Sequence, residues 1–188
     1  GMRPKRCPRD EACYAPGCLP AMARPLGVIL AGGLARRMGG GDKGLITLDG
    51  QTILHHVIAR LSPQVAGMAL NANGDADRFA AYQMPVLPDT VPDFPGPLAG
   101  VLAGMDWAAQ RNVDRIVTVA ADTPFFPKDL VTQLQAAAEG MAQPLAMATT
   151  EGPDGRTNRH PTFGLWPVTL RADLQAALDG SVLRAAWD

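Results

Sequence analysis

The sequence predicts a single α/β domain with three layers, α/β/α, built on a Rossmann-like, mostly parallel sheet. Strand-like and helix-like patterns alternate from Ala23 onward, which is typical of parallel strands joined by crossover helices. The length of 188 residues suits one such domain with its own core. Residues 1–22 are expected to be a poorly ordered N-terminal extension, and residues 23–188 the domain.

Composition excludes several classes of function. The formal net charge is −1 and only 5% of the residues are aromatic, so neither a basic surface nor a stacking platform for nucleic acid is predicted. No apolar run reaches the roughly 18 residues of a membrane span. We therefore expect no nucleic-acid and no membrane partner.

The cysteines are confined to the N-terminal extension. Cys7, Cys13 and Cys18 do not have a zinc-site spacing and no histidine lies near them. Residues 3–20 lack the apolar stretch of a signal peptide, and Met22 is the expected natural start. A body without cysteine suits a reducing cytoplasm, which is the predicted location.

The first predicted strand, residues 26–31, leads into a glycine-rich loop. Residues 32–43 contain five glycines and three cations, Arg36, Arg37 and Lys43. Glycines allow backbone N–H groups to approach an anion closely, and the cations add charge for a polyphosphate. The loop therefore predicts nucleotide binding, with a flexible surface loop as the alternative.

The loop fits neither of two common nucleotide motifs. Lys43 is preceded by Asp42 and followed by Gly44, which excludes the Walker A pattern. The glycine spacing also differs from the dinucleotide fingerprint.

The next elements follow from local patterns. Residues 45–48 are predicted to be extended and to end at a turn over residues 49–50. Thr52 is expected to cap an amphipathic helix with apolar positions 53, 54, 57, 58 and 61. A strand over residues 68–71, a short helix over 74–82 and a strand at 86–87 complete the first half.

The second half begins with a helix that Pro97 is expected to open at its first position. Small residues at 99, 100, 103 and 104 would let this helix pack closely on a sheet or a ligand. Residues 115–120 form the predicted central strand, and residues 127–137 a helix. Strands over 144–148 and 162–166 are predicted to be joined by a polar loop, residues 149–160, before a last helix over 167–178.

Polar residues follow four predicted strand ends, where ligands bind in open α/β sheets. Asp122 is the sharpest candidate and is suited to bind Mg²⁺, with the start of a turn or a helix cap as the less favoured alternative. Asp89 has the same two interpretations. Asn71 and Asn73 could hold a base or ribose through amide hydrogen bonds, or simply belong to a polar loop. Lys43 is favoured as a phosphate ligand.

The three histidines are weaker candidates for the site. His55 and His56 are expected to lie in the first helix, one facing inward and one outward, without a catalytic role. His160 follows Arg156 and Arg159 in the polar loop, which could contact a second anionic substrate or be plain surface. The sequence order matches no Ser-His-Asp or Cys-His arrangement.

Taken together, the motifs resemble one enzyme family. They are Leu30-Ala31-Gly32-Gly33, Arg37-Met38-Gly39, Asp42-Lys43, Asn71-Ala72-Asn73, Asp89, Gly96-Pro97-Leu98-Ala99-Gly100, Asp122-Thr123-Pro124 and His160-Pro161. In this order, over residues 26–178, the chain resembles the molybdenum cofactor guanylyltransferases, with a sheet of the nucleotide-diphospho-sugar transferase type. Related cytidylyltransferases usually have Leu-Ala-Ala-Gly in the first motif, so Gly32 favours the guanylyl branch.

The resemblance implies that GMP passes from GTP to molybdopterin or Mo-molybdopterin, with Mg²⁺ as cofactor and release of pyrophosphate. Insertion proteins or apo-molybdoenzymes are further candidate partners. The implied nucleotide contacts are the backbone of Leu30, Ala31, Gly32 and Gly33, the phosphate ligand Lys43, the nucleoside ligands Asn71 and Asp89, and Asp122 for GTP and Mg²⁺. Arg37, Lys43 and Asp122 are the implied catalytic residues, since phosphoryl transfer depends on positioning and charge neutralisation.

The chain departs from the family pattern at its C-terminus. It ends at Asp188 without the Asn-x-Asn-Thr-Pro segment expected there, which affects the predicted molybdopterin side. Two alternatives stay open: a cytidylyl- or sugar-nucleotidyltransferase of the same fold, and a non-catalytic nucleotide-binding protein.

Overall fold

The computed structural model describes residues 23–31, 43–91 and 96–179, which form a six-stranded sheet and a separate two-stranded hairpin. The strands are β1 (Leu26–Leu30), β2 (Thr47–Leu48), β3 (Gln51–Thr52), β4 (Gly67–Asn71), β5 (Val86–Leu87), β6 (Arg115–Ala120), β7 (Ala146–Glu151) and β8 (Thr157–Pro167). The order across the large sheet is β5-β4-β1-β6-β8-β7. Strands β5, β4, β1 and β6 pair in parallel, whereas β8 is antiparallel to both of its neighbours.

Helices cover both faces of this sheet. They are α1 (Ile53–Leu61), α2 (Leu98–Ala109), α3 (Leu130–Ala137) and α4 (Arg171–Asp179). Successive residues of β1 point to opposite faces, so Ile29 packs in the core with α1 and α3 while Val28 packs with α2 and α4. The predicted three-layer fold with a mostly parallel sheet is confirmed.

The start of α1 follows from local chemistry. Asp49 and Gly50 have positive φ angles of 51° and 81°, as a two-residue hairpin between β2 and β3 requires. Thr52 then accepts a hydrogen bond from the backbone N–H of His55 at 3.1 Å, which is the predicted N-cap. His55 is exposed, whereas the half-buried His56 bonds through Nε2 to the Leu48 carbonyl at 2.9 Å. The expectation of one inward and one outward histidine is therefore confirmed.

The predicted polar loop over residues 149–160 is wrong. Strand β7 continues to Glu151 and β8 begins at Thr157, so most of that segment forms an antiparallel hairpin. Its backbone groups bond to each other, while its side chains point mostly into solvent. Because most of its residues are exposed on both faces, the hairpin shows no alternation of apolar and polar residues, and the sequence pattern therefore indicated a loop.

Several other boundaries differ by a few residues. Pro97 is the N-cap of α2 rather than its first residue, and α3 begins at Leu130 because residues 127–129 form a turn before it. Three predicted segments contain short 3₁₀ helices, at Lys43–Leu45, Ala76–Tyr82 and Val168–Leu170. Helix ends are set by capping and tertiary contacts that local patterns indicate only approximately.

Candidate active site

The carboxyl ends of four parallel strands meet at one edge of the sheet. Their last paired residues form one row: Leu87, Asn71, Leu30 and Ala120. From β1 the chain proceeds to β4 and β5 on one side, and then crosses to β6 on the other. Such a reversal of direction opens a crevice beyond the strand ends, where ligands bind in open α/β sheets. Of the predicted site residues, Leu30 and Asn71 lie in this row, and Asn73, Asp89 and Asp122 each lie two residues beyond it.

Asn71, Asn73 and Asp89 form a hydrogen-bonded network at the β4–β5 end of the row. The buried Asn71 donates from Nδ2 to the Leu87 carbonyl at 3.0 Å and to Asp89 Oδ1 at 2.9 Å. Asn73 donates from Nδ2 to Asp89 Oδ2 at 2.6 Å and accepts from the Asp89 backbone N–H at 2.9 Å. A carboxylate has about four acceptor positions, so Asp89 keeps capacity for the donor groups of a base or ribose.

Gly100 makes room for this network. A Cβ atom at Gly100 would lie 2.2 Å from Asn71 Oδ1 and 3.0 Å from Leu30 Cδ2. Further along α2, a Cβ at Gly104 would lie 2.7 Å from Val28 Cγ2. The small residues of α2 therefore let the helix approach the sheet closely, as predicted, and Gly100 also leaves space for the Asn71 amide.

Asp122 lies at the opposite end of the row, two residues after the last residue of β6. Its side chain is exposed, and Thr123 donates from Oγ1 to Asp122 Oδ1 at 3.3 Å. It is not a helix cap, because the next α-helix begins at Leu130 with Asp129 as its N-cap residue. Asp122 thus lies in a turn beyond the end of β6, with its side chain exposed.

The donor set around Asp122 fits one mode of Mg²⁺ binding. Among the described residues, no group of three or more His, Cys, Asp or Glu side chains could hold a metal ion. Mg²⁺ is commonly bound by one or two carboxylates together with substrate phosphates and water, rather than by an all-protein cage. A single exposed carboxylate on the same side of the crevice as Lys43, the predicted phosphate ligand, matches that mode.

Lys43 is brought to the same end of the row by its neighbour. Gly44 is buried against the residue that follows β6, since a Cβ atom at Gly44 would lie 3.2 Å from the Ala121 carbonyl oxygen. Lys43 precedes Gly44 in the sequence, and Asp122 follows Ala121. The exposed Lys43 therefore lies on the same side of the crevice as Asp122. Gly44 was not singled out in the sequence, where nothing distinguishes it from the other loop glycines.

The hairpin of β7 and β8 extends beyond the carboxyl edge of the sheet. Strand β8 pairs with β6 only as far as Gly164 opposite Thr118, and its preceding residues run on past the end of β6. Arg156 and Arg159 are exposed there, and Arg156 Nε lies 3.5 Å from Asp154 Oδ2. His160 shares a 2.9 Å hydrogen bond with Thr150 Oγ1 and so helps to hold the hairpin together.

Gly32, Gly33, Arg36 and Arg37 lie outside the described residues, so their predicted phosphate contacts stay predictions. Leu30 and Ala31 are described, and the Ala31 N–H donates to the Asn71 carbonyl at 2.8 Å. The direct contact of Asn73 with Asp89 was not predicted. The sequence feature that could have predicted this contact is that two neighbouring strands are each followed by a polar residue able to pair with the other.

Comparison with known proteins decides the family. A family model described as the MobA-like NTP transferase domain matches residues 27–187. The chain belongs to this family. Family membership agrees with the motifs at the strand ends and confirms the resemblance to molybdenum cofactor guanylyltransferases.

Two relatives with that name share about half of their aligned residues with this MobA-like chain. The protein from Bradyrhizobium sp. (strain ORS 278) is 53% identical over 160 residues, which cover 84% of this chain and 73% of the relative. The protein from Nitrobacter hamburgensis is 55% identical over 155 residues, covering 81% and 71%. Both are molybdenum cofactor guanylyltransferases.

Solved structures confirm the fold of this MobA-like domain. Molybdopterin-guanine dinucleotide biosynthesis protein A from Archaeoglobus fulgidus matches with a TM-score of 0.61 at 20% identity, over 84% of this chain and 74% of that one. A 4-diphosphocytidyl-2C-methyl-D-erythritol synthase from Anaerococcus prevotii matches with a TM-score of 0.61 at 13% identity, over 87% and 78%. Within the described residues, no helix has the length and apolar character needed to cross a bilayer.

Proposed function

We propose that this chain transfers GMP from GTP to molybdopterin or Mo-molybdopterin, giving the guanine dinucleotide cofactor and pyrophosphate. Its relatives at 53% and 55% identity are molybdenum cofactor guanylyltransferases. The observation that supports the proposal most is the arrangement of one edge of the sheet. A network with free acceptor capacity (Asn71, Asn73, Asp89) and an exposed carboxylate (Asp122) flank the strand that leads into the glycine-rich loop.

A nucleotide laid along this edge would meet suitable groups in order. Asp89 accepts hydrogen bonds from the nucleoside, and its orientation is fixed by the Asn71 and Asn73 amides. The phosphates extend toward Lys43 and Asp122, with the glycine-rich loop and Arg37 as their remaining ligands. The acceptor approaches from the β8 side, where the exposed arginines of the hairpin lie.

The proposed reaction requires positioning and charge neutralisation. The terminal phosphate of molybdopterin attacks the α-phosphorus of GTP, and the bond from that phosphorus to the oxygen bridging to the β-phosphate breaks. A phosphate nucleophile is already ionised at neutral pH, so no general base is needed. Lys43 and Arg37 neutralise the phosphate charge. Asp122 would hold Mg²⁺, which when bound neutralises the leaving pyrophosphate.

The cellular setting forms part of the same proposal. We place the chain in the cytoplasm, because residues 23–188 contain no cysteine. The cofactor product would then pass to insertion proteins or apo-molybdoenzymes.

A nucleotide panel with Mg²⁺ tests the base assignment. GTP at about 100 times its Kd should stabilise the folded state by about 2.7 kcal/mol, because it binds the folded state alone. For a domain of this size the melting temperature should rise by about 5–10 °C. CTP and ATP at the same concentration should raise it far less.

Differential scanning fluorimetry gives the comparison directly. Equal stabilisation by CTP would contradict the guanine assignment and favour the cytidylyltransferase alternative. An Asp89→Asn variant should lose most of the GTP-induced shift, since an amide cannot accept from both asparagines. Asp173→Asn, an exposed carboxylate on α4, provides the matched control.

A further inference from the structure

The loop after Asp122 exposes an aromatic ring beside the proposed site. Phe125 is 76% exposed, more than any other large hydrophobic side chain that the structure describes. Ile46 is 58% exposed and lies two residues beyond Gly44, which packs on Ala121. Two exposed apolar side chains therefore stand on loops next to this end of the crevice.

Phe125 stands between two buried residues, Pro124 and Phe126, and the segment that follows it is anchored by hydrogen bonds. The next residue, Phe126, is buried, and its carbonyl accepts a hydrogen bond from Arg60 Nη1 at 2.9 Å. Gln64 holds the segment further on, since its Oε1 accepts from the Val131 N–H at 3.0 Å. Phe125 is thus directed outward by an anchored segment that buries one phenylalanine and exposes the other.

The position of Phe125 favours contact with the acceptor substrate rather than with the nucleotide. The Phe126 ring lies 5.8 Å from the ring of Phe163 on β8, so the loop packs on the β8 side of Asp122. The proposed nucleoside ligands lie across β1, at the ends of β4 and β5. A ring on the β8 side lies on the side from which the acceptor approaches in the proposed reaction.

We propose that Phe125 binds the acceptor substrate by stacking on its flat heteroaromatic ring. Aromatic side chains with an accessible face stack on planar nitrogen heterocycles without needing specific hydrogen bonds. The inference rests on the proposed function, in which the acceptor is a pterin with a terminal phosphate. Stacking holds the ring while the exposed hairpin arginines, Arg156 and Arg159, meet the charged end.

Titration of purified protein with molybdopterin, followed by pterin fluorescence, tests the inference. Phe125→Ala should weaken molybdopterin binding by about 5- to 20-fold, the lower part of the range seen for loss of one stacked ring. Phe125→Tyr should bind like the unaltered protein, because it keeps the ring. Met141→Ala, which removes a 50%-exposed apolar side chain in the loop between α3 and β7, should have no effect.

The GTP-induced rise in melting temperature separates the possible outcomes. It should be unchanged in both Phe125 variants, and the melting temperature without ligand should also stay the same, since the ring is mostly exposed. If Phe125→Ala binds molybdopterin within twofold of the unaltered protein, or loses the GTP-induced shift, the inference is wrong while the proposed function stands. If the unaltered protein binds GTP but not molybdopterin, both are wrong.

Discussion

Replacing Asp122 with alanine is expected to abolish nucleotidyl transfer and leave the fold intact. The side chain is exposed and its hydrogen bond to Thr123 is long, at 3.3 Å, so its removal leaves no buried group unpaired. Turnover should fall by at least about 10²–10³-fold, the effect of removing one preorganised charge-stabilising group from an active site. Pyrophosphate release measures the loss, and the melting temperature without ligand should stay within about 1 °C of the original value.

The metal assignment has its own control. Asp122→Asn keeps the size of the side chain and removes its charge, so more Mg²⁺ should be needed for half-maximal turnover. Asp173→Ala on α4 should change neither value. Near-normal turnover in Asp122→Ala would mean that another group holds the metal.

Replacing Gly100 with alanine is expected to destabilise the protein and impair GTP binding together. Alanine in place of glycine inside an exposed helix ordinarily stabilises it by about 1 kcal/mol. Here the added Cβ would lie 2.2 Å from Asn71 Oδ1, so either the helix or the Asn71 side chain must shift. Overpacking of this kind costs about 1–3 kcal/mol. Urea denaturation should show a lower midpoint, and the GTP-induced rise in melting temperature should shrink.

A double-mutant cycle identifies the contact responsible. In an Asn71→Ala background the amide is absent, so Gly100→Ala should cost much less stability than in the unaltered protein. An equal cost in both backgrounds would place the clash elsewhere, for example at Leu30. A stabilising effect of Gly100→Ala would contradict the close packing of α2 on the strand ends.

The elements best predicted from sequence are those whose information is local. The central strand, residues 115–120, matches β6 residue for residue, because a short β-branched apolar run between polar segments allows little else. The cap at Thr52 was likewise predicted from a side chain three residues away from its partner. The hairpin of β7 and β8 was missed, since its exposed residues gain order from pairing with each other and present no apolar pattern.

The candidate site was likewise predictable only in part. Its location was predictable, because the carboxyl ends of parallel strands share an edge and the polar residues follow those ends. The bonds of Asp89 to Asn71 and Asn73 were not, because they depend on the register between β4 and β5. Gly100 and Asn71 are far apart in sequence, and their close contact follows only from the packing of α2 on the sheet.

The most direct test of the central claim is pyrophosphate formation by purified protein supplied with Mg²⁺, molybdopterin and one nucleoside triphosphate at a time. The proposal predicts pyrophosphate with GTP, in an amount equal to the guanine dinucleotide cofactor formed, and little with CTP or ATP. It also predicts none when molybdopterin is left out. GTP binding without pyrophosphate formation in the complete mixture would contradict the proposal and support a non-catalytic nucleotide-binding role.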